Sequence, residues 1–552
     1  MSDSFDYIIV GAGSAGCVLA DRLSADGKNS VLVLEYGGSD RSVFIQMPSA
    51  LSIPMNSPKY NWFYETEPEP HLNNRRLHTP RGKVIGGSSS INGLVYIRGN
   101  PLDFDRWEEE GARGWAYRNV LPYFKRAEGR GEGGDAYRGS DGPLSTSYGP
   151  LKNPLYHAWI EAGRQAGYPA TADVNGYQQE GFGRMDMTVR QGRRWSAANA
   201  YLKPAMKRPN LTVRTHALAE RILFEGRRAA GIRYAQGNAV HEVKARREVI
   251  LAGGPINSPQ LLKLSGVGPA AELQALGIQP LHHLAGVGEN LQDHLEFYFQ
   301  MASTQPISLY SSQNLFAKGL IGLRWLLRHD GLGATNHFES CGFIRSRTGI
   351  RYPDIQYHFL PLAVSYDGSS LATEHGFQAH VGPMRTKSRG AVRLKSNDAR
   401  DKPRVFFNYM SHEDDWTEMR ACVRLTREIF QQPAFAPYRG REIQPGADVT
   451  TDEQIDAFIK AKVESAYHPS CTCKMGSPDD PMAVVDPQTR VIGLEALRVV
   501  DSSIMPSVTT GNLNAPTIMI GEKASDIILG KDPLPASNAP YYVASNWETA
   551  QR

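Results

Sequence analysis

Cysteine is scarce in this sequence, and its scarcity excludes a class of protein. The 552 residues contain five cysteines: Cys17, Cys341, Cys422, Cys471 and Cys473. An odd and sparse set does not form a disulfide framework, so the sequence favours a reducing compartment. The last two cysteines are one residue apart, which is the wrong spacing for a zinc knuckle, and no second pair exists elsewhere. We therefore predict no metal site.

Net charge and long apolar runs are also lacking. The 61 Lys and Arg residues nearly balance the 57 Asp and Glu residues, which leaves a formal charge of +4. This balance leaves no large excess of positive charge with which to bind nucleic acid, so the expected partner is a small molecule. No stretch approaches the ~18 apolar residues of a membrane span, and the acidic segment 1–6 is unlike a signal peptide. We expect a cytoplasmic protein, at most peripheral on the inner face of a membrane.

The composition is that of a globular protein with more than one domain. Hydrophobic residues make up 41% and charged residues 21%, which excludes disordered and collagen-like chains. At roughly 100–200 residues per domain, the chain is too long for a single core.

A dinucleotide-binding pattern lies at the N-terminus. The apolar segment 7–10 predicts a buried parallel strand, and a turn and a helical segment follow it. The turn contains Gly11, Gly13, Ser14 and Gly16. Gly11 permits the tight turn, Gly13 lets a pyrophosphate approach the backbone, and Gly16 lets helix and strand pack closely. A second strand ends at Glu35, whose carboxylate can hydrogen-bond an adenosine ribose. FAD and NAD both fit this pattern.

Further motifs follow in a fixed order. They are the glycine- and serine-rich segment 80–93 and the segments 253–262, 286–294, 468–476 and 511–517. Together with the N-terminal pattern, this set resembles the glucose–methanol–choline (GMC) family of FAD oxidoreductases over about residues 6–530. The segments most similar to those of choline-oxidising members are 60–70, 175–181, 356–361 and 407–412.

The resemblance implies a mixed α/β fold with two domains. A Rossmann-like FAD-binding domain, discontinuous in sequence, would comprise residues 1–155, 205–305 and 465–530. A substrate-binding domain, built on a largely antiparallel sheet with helices, would comprise residues 156–204 and 306–464. The tail 531–552, with its Pro-Leu-Pro and Asn-Ala-Pro sequences, is expected to form an extended C-terminal arm.

The resemblance also implies a catalytic pair. Removal of a hydroxyl proton needs a base that works near neutral pH, and imidazole suits this task. The family's catalytic histidine falls on His468, and its second catalytic position, His or Asn in relatives, falls on Asn512. An asparagine amide can hydrogen-bond the substrate oxygen without competing for its proton. The structural alternative for Asn512 and Asn514 is a polar turn before the helix from Pro516.

Other residues are expected around the cofactor by resemblance alone. They are Arg81, Gly86, Gly87, Ser88, Asn92, Gly93, Val213, Asp501 and Asn514. Ile91 occupies a position at which some members carry a histidine bonded to the flavin. Isoleucine cannot form that bond, so we expect FAD to be held non-covalently.

Three residues match positions that hold a quaternary ammonium in choline-oxidising relatives, and a fourth matches a position in their alcohol pocket. Such a group donates no ordinary hydrogen bond and is held by aromatic faces and a carboxylate. Glu296 matches the carboxylate, Trp62 and Tyr467 match the aromatic wall, and His358 matches a histidine of the alcohol pocket. The alternative interpretation makes Glu296 a solvated charge and Trp62 a core residue.

The function implied by the resemblance is oxidation of choline to betaine aldehyde, with further oxidation to glycine betaine left open. The base would take the hydroxyl proton, a hydride would pass to flavin N5, and the electrons would leave to a quinone or other respiratory acceptor. A GMC alcohol dehydrogenase or oxidase for neutral aliphatic or aryl alcohols is the alternative. A GMC-fold lyase, or a flavin-binding scaffold without activity, would differ because substrate would not bleach the flavin.

Overall fold

Two large sheets organise the chain, which a computed structural model describes over residues 3–364 and 373–552. The first sheet has a parallel centre extended by an antiparallel hairpin. In spatial order its strands are Leu211–Arg214, Val31–Leu34, Ser4–Val10, Ala239–Leu251, Arg228–Gln236 and Ala217–Glu225, and Leu497–Val499 also pairs with Ala239–Leu251.

The parallel strands are apolar because helices and loops cover both faces of the sheet. Every residue of Val31–Leu34 is buried. The helices Ser14–Ser24 and Asn514–Ile528 pack against each other beside this sheet. Since parallel strands end at the same edge, Gly11, Glu35 and Ala252 come together there, and Asp501 follows close behind Leu497–Val499.

The second sheet is antiparallel throughout. In spatial order its strands are Arg439–Gln444, Leu295–Ser303, Gly376–Pro383, Ile355–Leu360, Ser340–Ile344 and Gly181–Arg184, and Glu464–Ser465 also pairs with Leu295–Ser303. One face carries aromatic side chains that pack on the helices Pro154–Gln165 and Glu413–Phe430. The opposite face is polar. On it, His380 has two cross-strand neighbours, His358 on one adjacent strand and Tyr298 on the other.

The strand Leu295–Ser303 lies in this second sheet. The sequence analysis assigns segment 205–305 to the cofactor-binding domain, and the last strand of that segment is hydrogen-bonded to Gly376–Pro383. A strand's own apolar pattern does not reveal which sheet it joins, since pairing is decided by distant segments.

Shorter elements complete the structure. The other helices are Val43–Gln46, Ser52–Met55, Pro101–Glu109, Tyr117–Ala127, Lys203–Ala205, Gly254–Leu264, Ala270–Ala275, Leu315–Arg328 and Asp452–Lys462. The other strands are Tyr64–Glu65, His78–Thr79, Val95–Tyr96, Glu128–Arg130, Leu144–Tyr148, Asp186–Met187, Val189–Arg190, Arg193–Arg194, Val267–Gly268, His282–His283, Ala391–Arg393 and Arg404–Phe406. Within residues 3–364 and 373–552, no helix is long and apolar enough to cross a membrane.

The C-terminal arm runs along the surface without helix or strand. The backbone N–H of Leu534 donates to the Tyr123 hydroxyl at 3.1 Å, and the Tyr541 hydroxyl donates to Asp105 at 2.8 Å. Its last residue, Arg552, pairs with Glu428 at 2.7 Å. The arm therefore connects helices beside the first sheet to a helix of the second.

Candidate active site

A deep cavity lies between the carboxyl edge of the parallel strands and the polar face of the second sheet. Gly11, Glu35 and Asp501 line its first side, and Glu296 and His358 line its second. The predicted catalytic residues His468 and Asn512 also line it.

The predicted residues converge on this cavity, with three exceptions. All of those named from the sequence line it except Gly16, Gly86 and Val213. Gly16 serves helix packing, since a Cβ there would lie 2.0 Å from the Gly11 carbonyl oxygen. Val213 lies beside Val33 within the sheet, and the cavity wall near it is formed by 217–219.

The cofactor end of the cavity fits a dinucleotide. A Cβ on Gly13 would meet only the Ala252 carbonyl oxygen, at 3.7 Å, so the protein itself would tolerate a side chain there. The absence of one leaves the backbone open at the N-terminus of Ser14–Ser24, where unpaired N–H groups attract phosphate. The Ser14 hydroxyl donates to Asn514 Oδ1 at 2.8 Å, which joins this helix to the start of Asn514–Ile528.

Two buried carboxylates border the same end. Glu35 accepts hydrogen bonds from the backbone N–H of Ala12 at 2.9 Å and of Gly37 at 2.7 Å. Burial raises the pKa of Glu35 to about 7, although these two bonds oppose the shift. Asp501 accepts from the Gly254 N–H at 2.8 Å and the Ser258 hydroxyl at 2.6 Å, and burial raises its pKa as well. Both side chains are therefore fixed by hydrogen bonds at this end of the cavity.

A chain of hydrogen bonds sets the protonation of His468. His294 Nε2 lies 2.9 Å from the Met384 carbonyl oxygen, which can only accept, so Nε2 carries the hydrogen. In the neutral ring His294 Nδ1 is then an acceptor, and it lies 3.1 Å from His468 Nδ1. His468 must therefore carry its hydrogen on Nδ1, which leaves a lone pair on Nε2.

Burial keeps these imidazoles neutral. It lowers the pKa of His468 well below its ordinary value of 6.5, and charge on His294, His358 or Arg81 would lower it further. Burial also lowers the pKa of His294 to about 4. The backbone of His468 is fixed as well, because its backbone N–H donates to the buried carboxylate of Asp293 at 2.6 Å.

Asn512 faces the lone pair of His468. Its Nδ2 donates to His468 Nε2 at 3.0 Å. Its Oδ1 accepts from Gln356 Nε2 at 3.1 Å and from His358 Nε2 at 3.2 Å, which fixes the orientation of the amide. The imidazole acceptor and the amide donor are thus hydrogen-bonded to each other at the cavity wall, and an alcohol hydroxyl that replaced this bond could meet both groups.

Glu296 supplies a negative charge to the second side of the cavity. Its Oε1 accepts from His380 Nδ1 at 3.2 Å, and no Lys or Arg pairs with it in the described parts of the chain. The exposed fraction of Glu296 is only 9%. A buried carboxylate that no Lys or Arg neutralises is costly, so a cation bound in the cavity would offset it.

Aromatic rings pack on the histidines beside this carboxylate. Phe338 packs edge-on against His380 at 5.5 Å and His358 at 5.9 Å between ring centroids, and Tyr298 lies 4.3 Å from His380. Trp62 also lines the cavity, but its ring contacts Tyr36 at 5.0 Å and Tyr64 at 5.7 Å. Phe338 is thus the ring tied to Glu296 through His380, whereas Trp62 belongs to a separate aromatic group.

The sequence analysis missed His380, Phe338 and His294. The alternation in 376–383 could have revealed His380, because apolar Phe377, Ala379 and Val381 alternate with polar residues on one face. His294 lies inside a motif that the analysis quoted, but only the structure shows its contact with His468.

Protein-family models match two long parts of the chain, and curated relatives match nearly all of it. The model of the N-terminal domain of GMC oxidoreductases matches residues 5–296, and that of the C-terminal domain matches residues 386–521. An oxygen-dependent choline dehydrogenase of Brucella ovis is 60% identical over 99% of this chain and 100% of its own length. One of Photobacterium profundum is 59% identical over 100% of this chain and 98% of its own.

Solved structures share the fold. A pyridoxine 4-oxidase from Mesorbium loti superposes with a TM-score of 0.87 and 31% identity, over 96% of this chain and 99% of its own. A formate oxidase superposes with a TM-score of 0.90 at 24% identity, over 96% of this chain and 98% of its own, and shows the fold alone.

Proposed function

Since this chain belongs to the GMC oxidoreductase family, a family of FAD enzymes, we propose that it oxidises choline to betaine aldehyde. The observation that carries the substrate assignment is Glu296, a buried carboxylate in the cavity with no Lys or Arg partner among the described residues. A trimethylammonium group would offset that charge, and a neutral alcohol would leave it uncompensated.

The chain's own residues bind the alcohol and move its proton. An alcohol that replaced the hydrogen bond between Asn512 Nδ2 and His468 Nε2 would receive a hydrogen bond from the amide and give its proton to the imidazole lone pair. The resulting imidazolium would keep its Nδ1–H bond to His294. Bound FAD supplies the acceptor for the hydride that leaves the alcohol carbon.

We propose further that FAD is held without a covalent bond. Ile91 lines the cavity and packs with Ile45 and Val84, and its side chain has no atom able to bond the flavin. Denaturation in acid should release all the flavin into the filtrate, and yellow colour retained by the precipitated chain would contradict this.

The electron acceptor we propose is a quinone. The relatives carry the name oxygen-dependent choline dehydrogenase, so direct oxidation by oxygen is the competing outcome. The test is to reduce the enzyme with choline under argon and then add either a soluble quinone or air-saturated buffer. Much faster reoxidation by quinone would support the proposal, and equal or faster reoxidation by air would overturn it.

The substrate is tested in the same apparatus. Choline added under argon should bleach the flavin absorbance at low concentration. Bleaching by neutral aliphatic or aryl alcohols but not by choline would leave the family assignment intact and overturn the assignment of choline as the substrate. Failure of every alcohol to bleach a flavin-loaded protein would favour the lyase alternative.

A further inference from the structure

A second cavity, with a volume of about 480 Å³, lies between the helix Pro101–Glu109 and two loops of the antiparallel sheet. One loop joins Ser340–Ile344 to Ile355–Leu360, and the other follows Gly376–Pro383. No described residue lines both this cavity and the substrate cavity. The two cavities are therefore separate.

Cationic side chains outnumber carboxyl groups around this second cavity. Among the described residues, three carboxyl groups line it, those of Glu110, Asp414 and Glu418. Gln292, Tyr352 and Glu418 are buried, so the cavity has a fixed floor as well as exposed walls. The six cations that line it are Arg106, Arg347, Arg351, Arg385, Lys387 and Arg389.

Tyr352 holds two of these arginines in place. Its hydroxyl accepts a hydrogen bond from Arg106, and the centre of its ring lies 3.9 Å from the guanidinium carbon of Arg385. Each of these arginines also has a carboxylate nearby, Asp103 at 3.3 Å from Arg106 and Asp354 at 3.9 Å from Arg385. These two cations are therefore fixed and partly neutralised.

The other cations are not neutralised by the carboxyl groups of the cavity. Glu110 lies 3.8 Å from Arg106, and Asp414 lies 3.8 Å from His412. Burial raises the pKa of Glu418 to about 8, and the charges of neighbouring carboxylates add to this shift, so Glu418 is mostly uncharged at pH 7. The cations left without an ion pair to a carboxylate, in the described parts of the chain, are Arg347, Arg351, Lys387 and Arg389.

We propose that this cavity binds a small anion that carries two or more phosphate groups. The unpaired cations repel one another, and an anion with several charges would offset that repulsion. The cations come from three separate segments of the chain, so they face a ligand from several directions. A tetrahedral phosphate offers oxygen atoms in all these directions, whereas a carboxylate offers two in one plane, and guanidinium groups bind phosphate oxygens in pairs.

The cavity adjoins the segments that carry the catalytic histidine and its neighbour. Gln292 lines it two residues before His294, and its backbone exchanges hydrogen bonds with Ser470 at 3.2 and 2.9 Å. The Met384 carbonyl oxygen, which accepts from His294 Nε2, immediately precedes Arg385. An anion bound here would contact segments that also position the base, without entering the substrate cavity.

The test is calorimetric titration of the flavin-loaded full chain with inorganic pyrophosphate at low ionic strength. The flavin must be bound, because pyrophosphate could otherwise enter the cofactor end of the substrate cavity. We expect one saturable site with a Kd below about 1 mM, and the affinity should fall as salt is added. Citrate, a carboxylate anion of similar charge, should bind about tenfold more weakly or worse.

Arg347→Gln with Arg351→Gln should weaken pyrophosphate binding about tenfold or more, because charge-assisted hydrogen bonds are lost. Neither side chain forms an ion pair with a carboxylate in the described parts of the chain, so Tm should not change.

Arg227→Gln with Arg247→Gln is the matched control. Both arginines are exposed, one in a turn and one on a strand of the first sheet, and neither lines the second cavity. This variant loses the same charge and should bind pyrophosphate as the unaltered chain does. Both variants should keep their rate of flavin reduction by choline, because none of the four arginines lines the substrate cavity. Failure of the anion site is thus distinguishable from failure of the proposed function.

Three results would overturn the proposal. The first is the absence of a saturable site below about 1 mM, or binding that the Arg347 and Arg351 substitutions leave unchanged. The second is equal weakening in the control, which would mean that surface charge in general attracts the anion. The third is citrate binding as tightly as pyrophosphate, which would exclude selection of phosphate.

Discussion

Glu296 is the residue on which substrate choice depends. Its carboxylate is buried and held by His380 at 3.2 Å. Glu296→Gln should raise the KM for choline about 30-fold or more, since loss of one partner of a buried charge pair costs about 2–5 kcal/mol. The KM for a neutral alcohol should change little. Steady-state kinetics with both substrates measures the difference.

Glu339→Gln is the control for that substitution. Glu339 is also buried, but it accepts hydrogen bonds from the Leu151 N–H at 2.6 Å and the Thr335 hydroxyl at 2.8 Å and does not line the cavity. Its loss should affect Tm and leave the preference for choline intact. A Glu296→Gln enzyme with unchanged KM for choline would refute the cation site.

His294 is expected to act on catalysis through His468. His294→Leu removes the acceptor for the His468 Nδ1–H, so the proton can move to Nε2 and block the base. We expect kcat to fall about tenfold to a hundredfold with KM unchanged. His294→Asn, whose Oδ1 can accept the same hydrogen bond, should restore most of the rate. If both variants lose kcat equally, the histidine has only a packing role.

The pH dependence follows from the burial of His468. The base must be unprotonated, and burial holds its pKa well below 6.5. Activity should therefore be lost only as the pH falls through that lowered value, and it should be nearly constant from pH 6.5 upward into the neutral range. Stopped-flow measurement of flavin reduction against pH tests this. An acid limb centred at or above pH 6.5 would contradict the neutral base.

At the scale of elements, two glycines at the start of Ser14–Ser24 have different roles: Gly13 is expected to serve cofactor binding, and Gly16 serves folding. Gly13→Ala places a methyl group in the cavity, where a pyrophosphate would lie, and should weaken FAD binding about tenfold or more through overpacking. The apoprotein should fold normally. Fluorescence titration with FAD gives the affinity, and circular dichroism gives Tm.

Gly16→Ala provides the contrast. Its Cβ would lie 2.0 Å from the Gly11 carbonyl oxygen, so the helix must move away from the strand and Tm of the apoprotein should fall. Normal FAD affinity in Gly13→Ala, or equal loss of Tm in both variants, would show that Gly13 is needed for packing and not for the ligand.

For the whole molecule, the C-terminal arm joins the two sheets' helices. Deletion of residues 535–552 removes the Tyr541–Asp105 and Arg552–Glu428 contacts but no residue of the cavity. We expect Tm to fall by about 3–6 °C and kcat/KM for choline to stay within about threefold. Loss of activity at temperatures where the truncated protein is folded would mean that the arm shapes the site.

Much of this architecture was accessible from the sequence. The mixed α/β fold and the family were predicted and are confirmed. They could be predicted because strand, glycines, helix and acid follow one another locally around Gly11 and Glu35. The site residues were assigned by resemblance and remain predictions, although most of them meet in one cavity.

The remainder depends on contacts between distant segments. His380 meets Glu296 only because Gly376–Pro383 pairs with Leu295–Ser303 in a particular register. The tautomer of His468 depends on the Met384 carbonyl oxygen, reached through His294. Strand register and second-neighbour hydrogen bonds are properties of the folded chain, and local patterns do not encode them.

The central claim is that the cavity selects a cationic alcohol. The most direct measurement compares choline with its uncharged isostere 3,3-dimethylbutan-1-ol, as kcat/KM for anaerobic flavin reduction by the unaltered protein. The two alcohols have the same shape, so the ratio reports the charge alone. The account predicts a preference for choline of about 30-fold or more, equivalent to about 2 kcal/mol or more. Equal values for the two alcohols would contradict it.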